Sequence, residues 1–380
     1  MQMKNKILIG LGVAVVIFCC CAVTYLSGNN VEQKVNASPS SISRGGVYTV
    51  TAGNYPTYLM ASAIVSVNGD ILVFTYQAQS HASHHGAIWM YRSSDGGYSW
   101  DAGTKLFDRY NTPAGSNYMP RNPIVGILHN GRILLGFAQY MASMSADNVI
   151  YYSDDNGNTF NYLSSVPFST CYFTSAGNIL QYSSYAHDPN EIIIPCENTQ
   201  VTPNQAVFMA SVDDGKTWQV RSILDGRLFN EPTITWAEDG SLKTVIRADG
   251  TYWTASSSNK GATWTTPVNH PELKGTQPSL GIVDGKYVLA SRRLAEYQPT
   301  SMDFYASSDF NTWTRTKSIM RSQQRAFDDY KVNCTMNYGS FVDLGAKTLF
   351  FFTSEHSTAT NGIWWDSGVF YIEIDKDYLE

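Results

Sequence analysis

Beyond residue 30 no stretch of the chain keeps the 3.6-residue apolar period of an amphipathic helix. From residue 46 onward, short apolar runs and two-residue alternations take over, the patterns of buried and half-buried strands. The runs ILVFTY (71–76), RILLGF (132–137), EIIIPC (191–196), LKTVIR (242–247), YVLASR (287–292) and TLFFFT (348–353) each follow a tight-turn dipeptide. Those dipeptides are Asn68-Gly69, Asn130-Gly131, Pro189-Asn190, Asp239-Gly240, Asp284-Gly285 and Gly345-Ala346. Each run therefore reads as the second strand of a hairpin. A loop and a third strand follow every time: AIWMYRS, NVIYYS, VFMAS, YWTAS, MDFYAS and GVFYIEI.

The third strand leads into a recurring phrase. It reads SSDGGYSW (93–100), SDDNGNTF (153–160), SVDDGKTW (211–218), SSSNKGATW (256–264) and SSDFNTW (307–313). An Asp or Asn that accepts backbone N–H bonds, a Gly free to take positive φ, and a Thr-Trp that opens the next strand together describe a hairpin turn. Six units of four antiparallel strands, starting near residues 58, 121, 177, 230, 276 and 337, predict an all-β, six-bladed β-propeller over 46–377. The last unit lacks the Asp hairpin, so Val47–Val50 is expected to supply its outer strand and close the ring.

Composition changes the picture only at the N-terminus. Lys4 and Lys6 precede the apolar run ILIGLGVAVVIFCCCAVTYL (7–26), about long enough to cross a bilayer as a helix. Residues 1–30 are expected to be a signal anchor or signal peptide, and 31–45 a flexible stalk. Positive charge before the run places the propeller outside the cytoplasm or in a lumen, with membrane contact through this segment only. A net charge of −6 with 15% charged residues gives no reason to expect nucleic acid as a partner. No His/Cys spacing suggests zinc, and no metal or cofactor is expected. Cys171 and Cys196 fall within one repeat and pair as a disulfide if the compartment is oxidising. A monomer is expected.

Strand polarity then sorts residues between two faces. The Asp hairpins all lie on one face, where a structural role is expected. The starts of first strands and the ends of second strands share the other. That face collects Leu59, Arg121, Glu231, Gln277 and Tyr338, with His81, His84, His85, Tyr140, Glu197, Arg247, Arg292, Arg293, Glu355 and His356. Glu231 opens a strand whose hairpin partner ends in Arg247, so the two are expected side by side. Tyr338 opens the sixth unit and points at the same axis; beside a carboxylate, a phenol can serve as a nucleophile. Trp89, Trp253, Trp364 and Trp365 are candidates for stacking on sugar faces or for blade packing.

The Asp hairpins, the six units and this trio resemble the sialidase (neuraminidase) superfamily, whose Asp-box or BNR repeat the hairpins match. The resemblance implies an extracytoplasmic glycosidase with Tyr338 as nucleophile, Glu231 as its activating base and Arg247 binding the substrate through a glycosyl-tyrosine intermediate. The chain departs from the pattern at three places. The first arginine of the family's carboxylate-binding set falls on Leu59, the acid/base Asp falls on His84, and the third arginine falls near Thr300. Arg121 and Arg292 are the candidate substitutes for substrate binding. Three readings stay open: an exo-acting, sialidase-like hydrolase of altered sugar specificity with His84 or another residue as acid/base; a non-catalytic glycan-binding propeller; and a lyase on a uronic acid using His84 and Tyr338.

Overall fold

The computed structural model describes residues 47–53, 57–79, 85–141, 144–174, 178–181, 191–293, 301–320, 334–356 and 364–374. The apolar N-terminal segment expected as a helix, the stalk, and His84 lie outside the described residues. Among the described residues no helix is long and apolar enough to cross a membrane.

The chain forms a six-bladed all-β propeller. Blade one contains β2 (Thr57–Val65), β3 (Ile71–Ala78), β4 (Ala87–Ser93) and β5 (Thr104–Asp108). Blade two is β6 (Met119–Ile127), β7 (Ile133–Met141), β8 (Met144–Ser153) and β9 (Asn161–Val166). Blade three holds β12 (Ile192–Asn198), β13 (Gln205–Ser211) and β14 (Gln219–Leu224). Its innermost strand departs from the sequence expectation of one run near 177. It is split into β10 (Tyr172–Phe173) and β11 (Leu180–Gln181), both antiparallel to β12. Blade four is β15 (Asn230–Trp236), β16 (Leu242–Ala248), β17 (Thr251–Ser257) and β18 (Val268–Lys274). Blade five is β19 (Thr276–Val283), β20 (Lys286–Arg293), β21 (Ser301–Ser307) and β22 (Thr314–Met320). Blade six is β23 (Cys334–Asp343), β24 (Thr348–His356) and β25 (Trp364–Ile374). Its outer strand is β1 (Val47–Gly53), in register Val47↔Ile372 and Tyr48↔Tyr371, so the start of the propeller closes its end.

The core sits between blades rather than at the axis. Leu72, Phe74 and Ile88 of blade one interlock with Val125, Leu135 and Phe137 of blade two. Equivalent clusters fill the other five junctions. Phe208, Phe304 and Phe350 are fully buried in two of them, and each contributes about 1.5–3 kcal/mol by leaving water. Trp89 and Trp253 are partly buried and pack against two of these clusters. Cys171 and Cys196 are buried free thiols in the junction of blades two and three.

The Asp hairpins have the geometry their sequence implies. Asp155 accepts from Thr159 N–H at 2.9 Å and Thr159 Oγ1–H at 2.6 Å, while Ser153 Oγ accepts from Gly157 N–H at 2.8 Å. Gly157 stands at φ 82°, which a side chain would strain. Asp213 repeats the pattern, and Asn259 makes the equivalent bond to Thr263 N–H at 2.9 Å. Trp218 Nε1–H donates to Gly215 O at 3.0 Å, so its ring folds back over the turn. The hydrogen bonds from Thr159 hold the Asp155 carboxyl down to about 2. These carboxylates are consumed by their own turns.

Candidate active site

On the face away from the Asp hairpins, one backbone device recurs in the innermost strand of five blades. The β-ladder skips between Leu59 and Ser62, Arg121 and Ile124, Asn230 and Thr233, Thr276 and Ser279, and Asn337 and Gly339. Each skip is a β-bulge, one residue more on the inner strand than on its partner. In four of the five the bulge holds a non-glycine residue in the left-handed region: Met60 (φ 67°), Asn122 (φ 55°), Glu231 (φ 49°) and Gln277 (φ 58°). Such a conformation costs on the order of 1–3 kcal/mol for a residue other than Gly, Asn or Asp. It re-aims the side chain out of the sheet's alternation and removes its N–H from the ladder.

The freed groups bridge neighbouring blades. Glu231 N–H donates to Glu197 Oε2 of blade three at 3.0 Å, and Gln277 N–H donates to Glu231 Oε2 at 2.9 Å. Asn122 Nδ2 reaches Phe173 O at 2.8 Å, and Ser279 Oγ–H reaches Gly339 O at 2.7 Å. Gly339 is required here because an added Cβ would stand 2.2 Å from Phe350 Cζ. A ring of polar contacts thus surrounds the mouth of the axis.

Within it Glu231, only 8% exposed, is held from three sides. Tyr338 Oη–H donates to its Oε1 at 2.6 Å, Gln277 N–H to its Oε2, and Arg247 Nε stands 3.1 Å from Oε2. Arg247 arrives there because Asn230 and Arg247 are paired across the β15–β16 hairpin. The structure therefore brings together Tyr338, Glu231 and Arg247. Burial, then the charges of Glu231 and Glu197, push the Tyr338 phenol well above its usual value. It is a neutral donor at any physiological pH, and its nucleophilicity depends on Glu231 receiving the proton as a bond forms.

Arg292 enters the same rim from blade five. Its NH1 donates to Asn337 Oδ1 at 2.8 Å, one residue before Tyr338, and its Nε donates to Thr276 Oγ1 at 3.1 Å. Arg121 lies on blade two, with its guanidinium 5.1 Å from the Tyr140 ring centroid and 5.9 Å from that of Tyr76. Leu59 is fully buried against Tyr76 and Met119. His84 and Thr300 lie outside the described residues, as do the side chains of Trp364 and Trp365. Among the described residues no group of three His, Cys, Asp or Glu is placed to hold a metal ion.

Sequence reasoning put Glu197 on this face but gave it no role. Burial raises its carboxyl from 4.5 to about 7, the Glu231 charge adds to the rise, and the Glu231 N–H bond and Arg247 oppose it. The available signal was positional: Glu197 ends its second strand in Cys-Glu-Asn, as Arg247 and Arg292 end theirs. A carboxyl group raised toward neutrality, next to a second one that accepts from Tyr338 and Arg247, equips the site for proton transfer.

Comparison with known proteins agrees with the fold. Residues 69–342 match the BNR repeat-like domain family. No curated protein matches the chain in sequence. Among solved structures, NanB sialidase from Streptococcus pneumoniae (K499G mutant) superposes with a TM-score of 0.65 at 12% identity, over 92% of this chain and 73% of that one. The leech intramolecular trans-sialidase gives 0.62 at 15% identity, over 91% and 71%. A Penicillium chrysogenum alpha-L-arabinanase gives 0.62 at 15% identity, over 89% and 99%. With most of its length inside the family match, the chain belongs to the BNR repeat-like domain family.

Proposed function

We propose that the chain is a retaining glycoside hydrolase, exo-acting and working outside the cytoplasm, with the N-terminal segment as anchor or export signal. The observation that carries this reading is the Tyr338–Glu231–Arg247 trio, with its 2.6 Å phenol–carboxylate bond and 3.1 Å ion pair. In the first step Tyr338 Oη attacks the anomeric carbon as the glycosidic C–O bond breaks. The phenol proton passes to Glu231, and a protonated Glu197 gives its proton to the departing oxygen. In the second step Glu197 takes a proton from water, which attacks the glycosyl-tyrosine carbon; Glu231 returns its proton to the phenol. Arg247 and Arg292 bind the substrate from the rim. Glu197 takes the acid/base part expected of His84 because its carboxyl titrates near 7 beside Glu231.

A panel of aryl glycosides, sialosides and arabinosides included, tests the reading on the full chain. A slow fluorinated substrate is expected to leave a glycosyl adduct on the peptide carrying Tyr338, and Tyr338→Phe to remove both adduct and turnover. Absence of turnover across the panel, with retained binding to a glycan array, selects the non-catalytic propeller instead. An unsaturated uronate product selects the lyase.

A further inference from the structure

Glu231 and Tyr338 share a hydrogen bond, yet they stand in blades four and six, with blade five between them. Their spacing is therefore governed by what blade five offers to each. Gln277, in the bulge of β19, reaches both sides. Its main-chain N–H donates to Glu231 Oε2 at 2.9 Å, and its side-chain Nε2–H donates to Asn337 Oδ1 at 3.3 Å. Asn337 immediately precedes Tyr338 and is fully buried. Its Oδ1 also accepts from Arg292 Nη1 at 2.8 Å. Glu231, Gln277, Asn337 and Tyr338 thus close a ring of contacts that holds the base and the phenol from one strand.

The backbone at Tyr338 calls for such a tie. Tyr338 is the extra residue of the blade-six bulge, between Asn337, paired with Thr353, and Gly339, paired with Phe352. The other four bulges carry a residue in the left-handed region, and this one does not. A bulged residue lacks its own ladder bonds, so its neighbours fix its direction. On one side Asn337 is bonded to Gln277 and Arg292. On the other, Ser279 Oγ–H donates to Gly339 O at 2.7 Å, and Gly339 N–H donates to Ser279 Oγ at 3.3 Å. All of these bonds come from β19 and β20 of blade five. Burying a carboxamide is costly unless its hydrogen bonds are made, so an apolar residue would serve packing alone. The Asn337 oxygen instead reaches the residue that binds the base and a cation at the rim.

We propose that Gln277 and Asn337 are positioning residues that fix the Tyr338 phenol against Glu231 in the geometry nucleophilic attack requires. This inference rests on the hydrolase reading and assigns to it two residues that act through Tyr338 and Glu231. The phenol keeps its proton until a bond forms, so attack and proton transfer to Glu231 tolerate little change in spacing. A misplacement of about 1 Å costs on the order of 100-fold.

The test uses the full chain with three variants. Asn337→Ala removes the acceptor and Asn337→Asp keeps it. Gln277→Met removes the side-chain donor while leaving the main-chain N–H that Glu231 accepts. Aryl glycosides with good leaving groups isolate the first step, since they need no proton from Glu197. Asn337→Ala and Gln277→Met are expected to lower kcat roughly 10- to 100-fold with KM little changed, and Asn337→Asp to recover part of the loss. A second readout needs no turnover. In protein isotope-labelled at tyrosine Cζ, the NMR signal missing from Tyr338→Phe belongs to Tyr338. That signal is expected to move toward solvated tyrosine in Asn337→Ala and Gln277→Met, and to stay near wild type in Asn337→Asp. It should also stay in Thr244→Val, which removes a buried bond to Thr233 O in blade four. Should Asn337→Ala fail to fold, Gln277→Met and Asn337→Asp decide. An unmoved signal in the folded variants overturns the proposal, as does a rise in KM alone, which would make Asn337 a holder of Arg292. Wild-type kcat in both variants sinks the positioning role and spares the hydrolase. A signal that moves in a protein that hydrolyses nothing supports the positioning and sinks the hydrolase.

Discussion

Replacing Glu197 by Gln removes a proton site while keeping an oxygen for the Glu231 N–H, which the carboxylate accepts at 3.0 Å. The folded carboxyl is raised from 4.5 to about 7, chiefly by burial and next by the Glu231 charge. The direction in stability follows from linkage. Below the lower value both states hold the proton; between the two, only the folded state does; above the upper value neither does. Stability from this group is therefore fully present under acid conditions and is lost as pH rises through about 7. The slope in that window reaches about 1.4 kcal/mol per pH unit. The total is roughly 2–3 kcal/mol at most, reduced because the side chain is partly open to solvent. Urea unfolding of the full chain in mild detergent at pH 5, 6, 7 and 8, followed by tryptophan fluorescence, measures it. All other titrating groups are shared by the two proteins, so the difference curve isolates Glu197. Wild type is expected to lose stability relative to Glu197→Gln as pH rises from 5 to 8. Parallel curves would refute the raised carboxyl and, with it, the assignment of Glu197 as the proton donor. In turnover, the basic limb of kcat is expected near pH 7 in wild type and absent in the variant, whose losses are largest for glycosides with poor leaving groups.

Tyr338→Phe deletes one hydrogen bond to Glu231 and is expected to abolish turnover while changing stability by about 1–3 kcal/mol, checked by circular dichroism and urea titration. Asp213→Ala removes the bonds to Thr217 N–H and Oγ1–H and should lower stability by about 1–3 kcal/mol with kcat unchanged; a specific fall in kcat in the folded variant would contradict the structural role. Asp155, held to about 2 chiefly by Thr159, adds stability above the unfolded value that is lost as pH falls toward 2, so Asp155→Asn should flatten the acid side of the stability curve. Cys171 and Cys196 are buried, and burial raises the Cys196 thiol; both should resist a thiol reagent until urea unfolds the chain, and fast labelling of the native protein would show the junction to be open.

Strand period, turn dipeptides and the Asp hairpins act over a few residues, and for that reason blade number, hairpin role and ring closure through Val47–Val50 were legible from the sequence alone. Polarity along antiparallel strands likewise put Glu231 beside Arg247, because their pairing is fixed within one hairpin. The split innermost strand of blade three was not legible, since neither short piece carries enough alternation to signal itself. Tertiary structure decided the rest. Tyr338 meets Glu231 across 107 positions and Glu231 meets Glu197 across 34, through bulges whose left-handed residues no apolar pattern announces. Whether Glu197 holds its proton depends on which groups from other blades stand within a few ångströms. Coulomb interaction and desolvation depend on that spacing, and sequence order does not encode it.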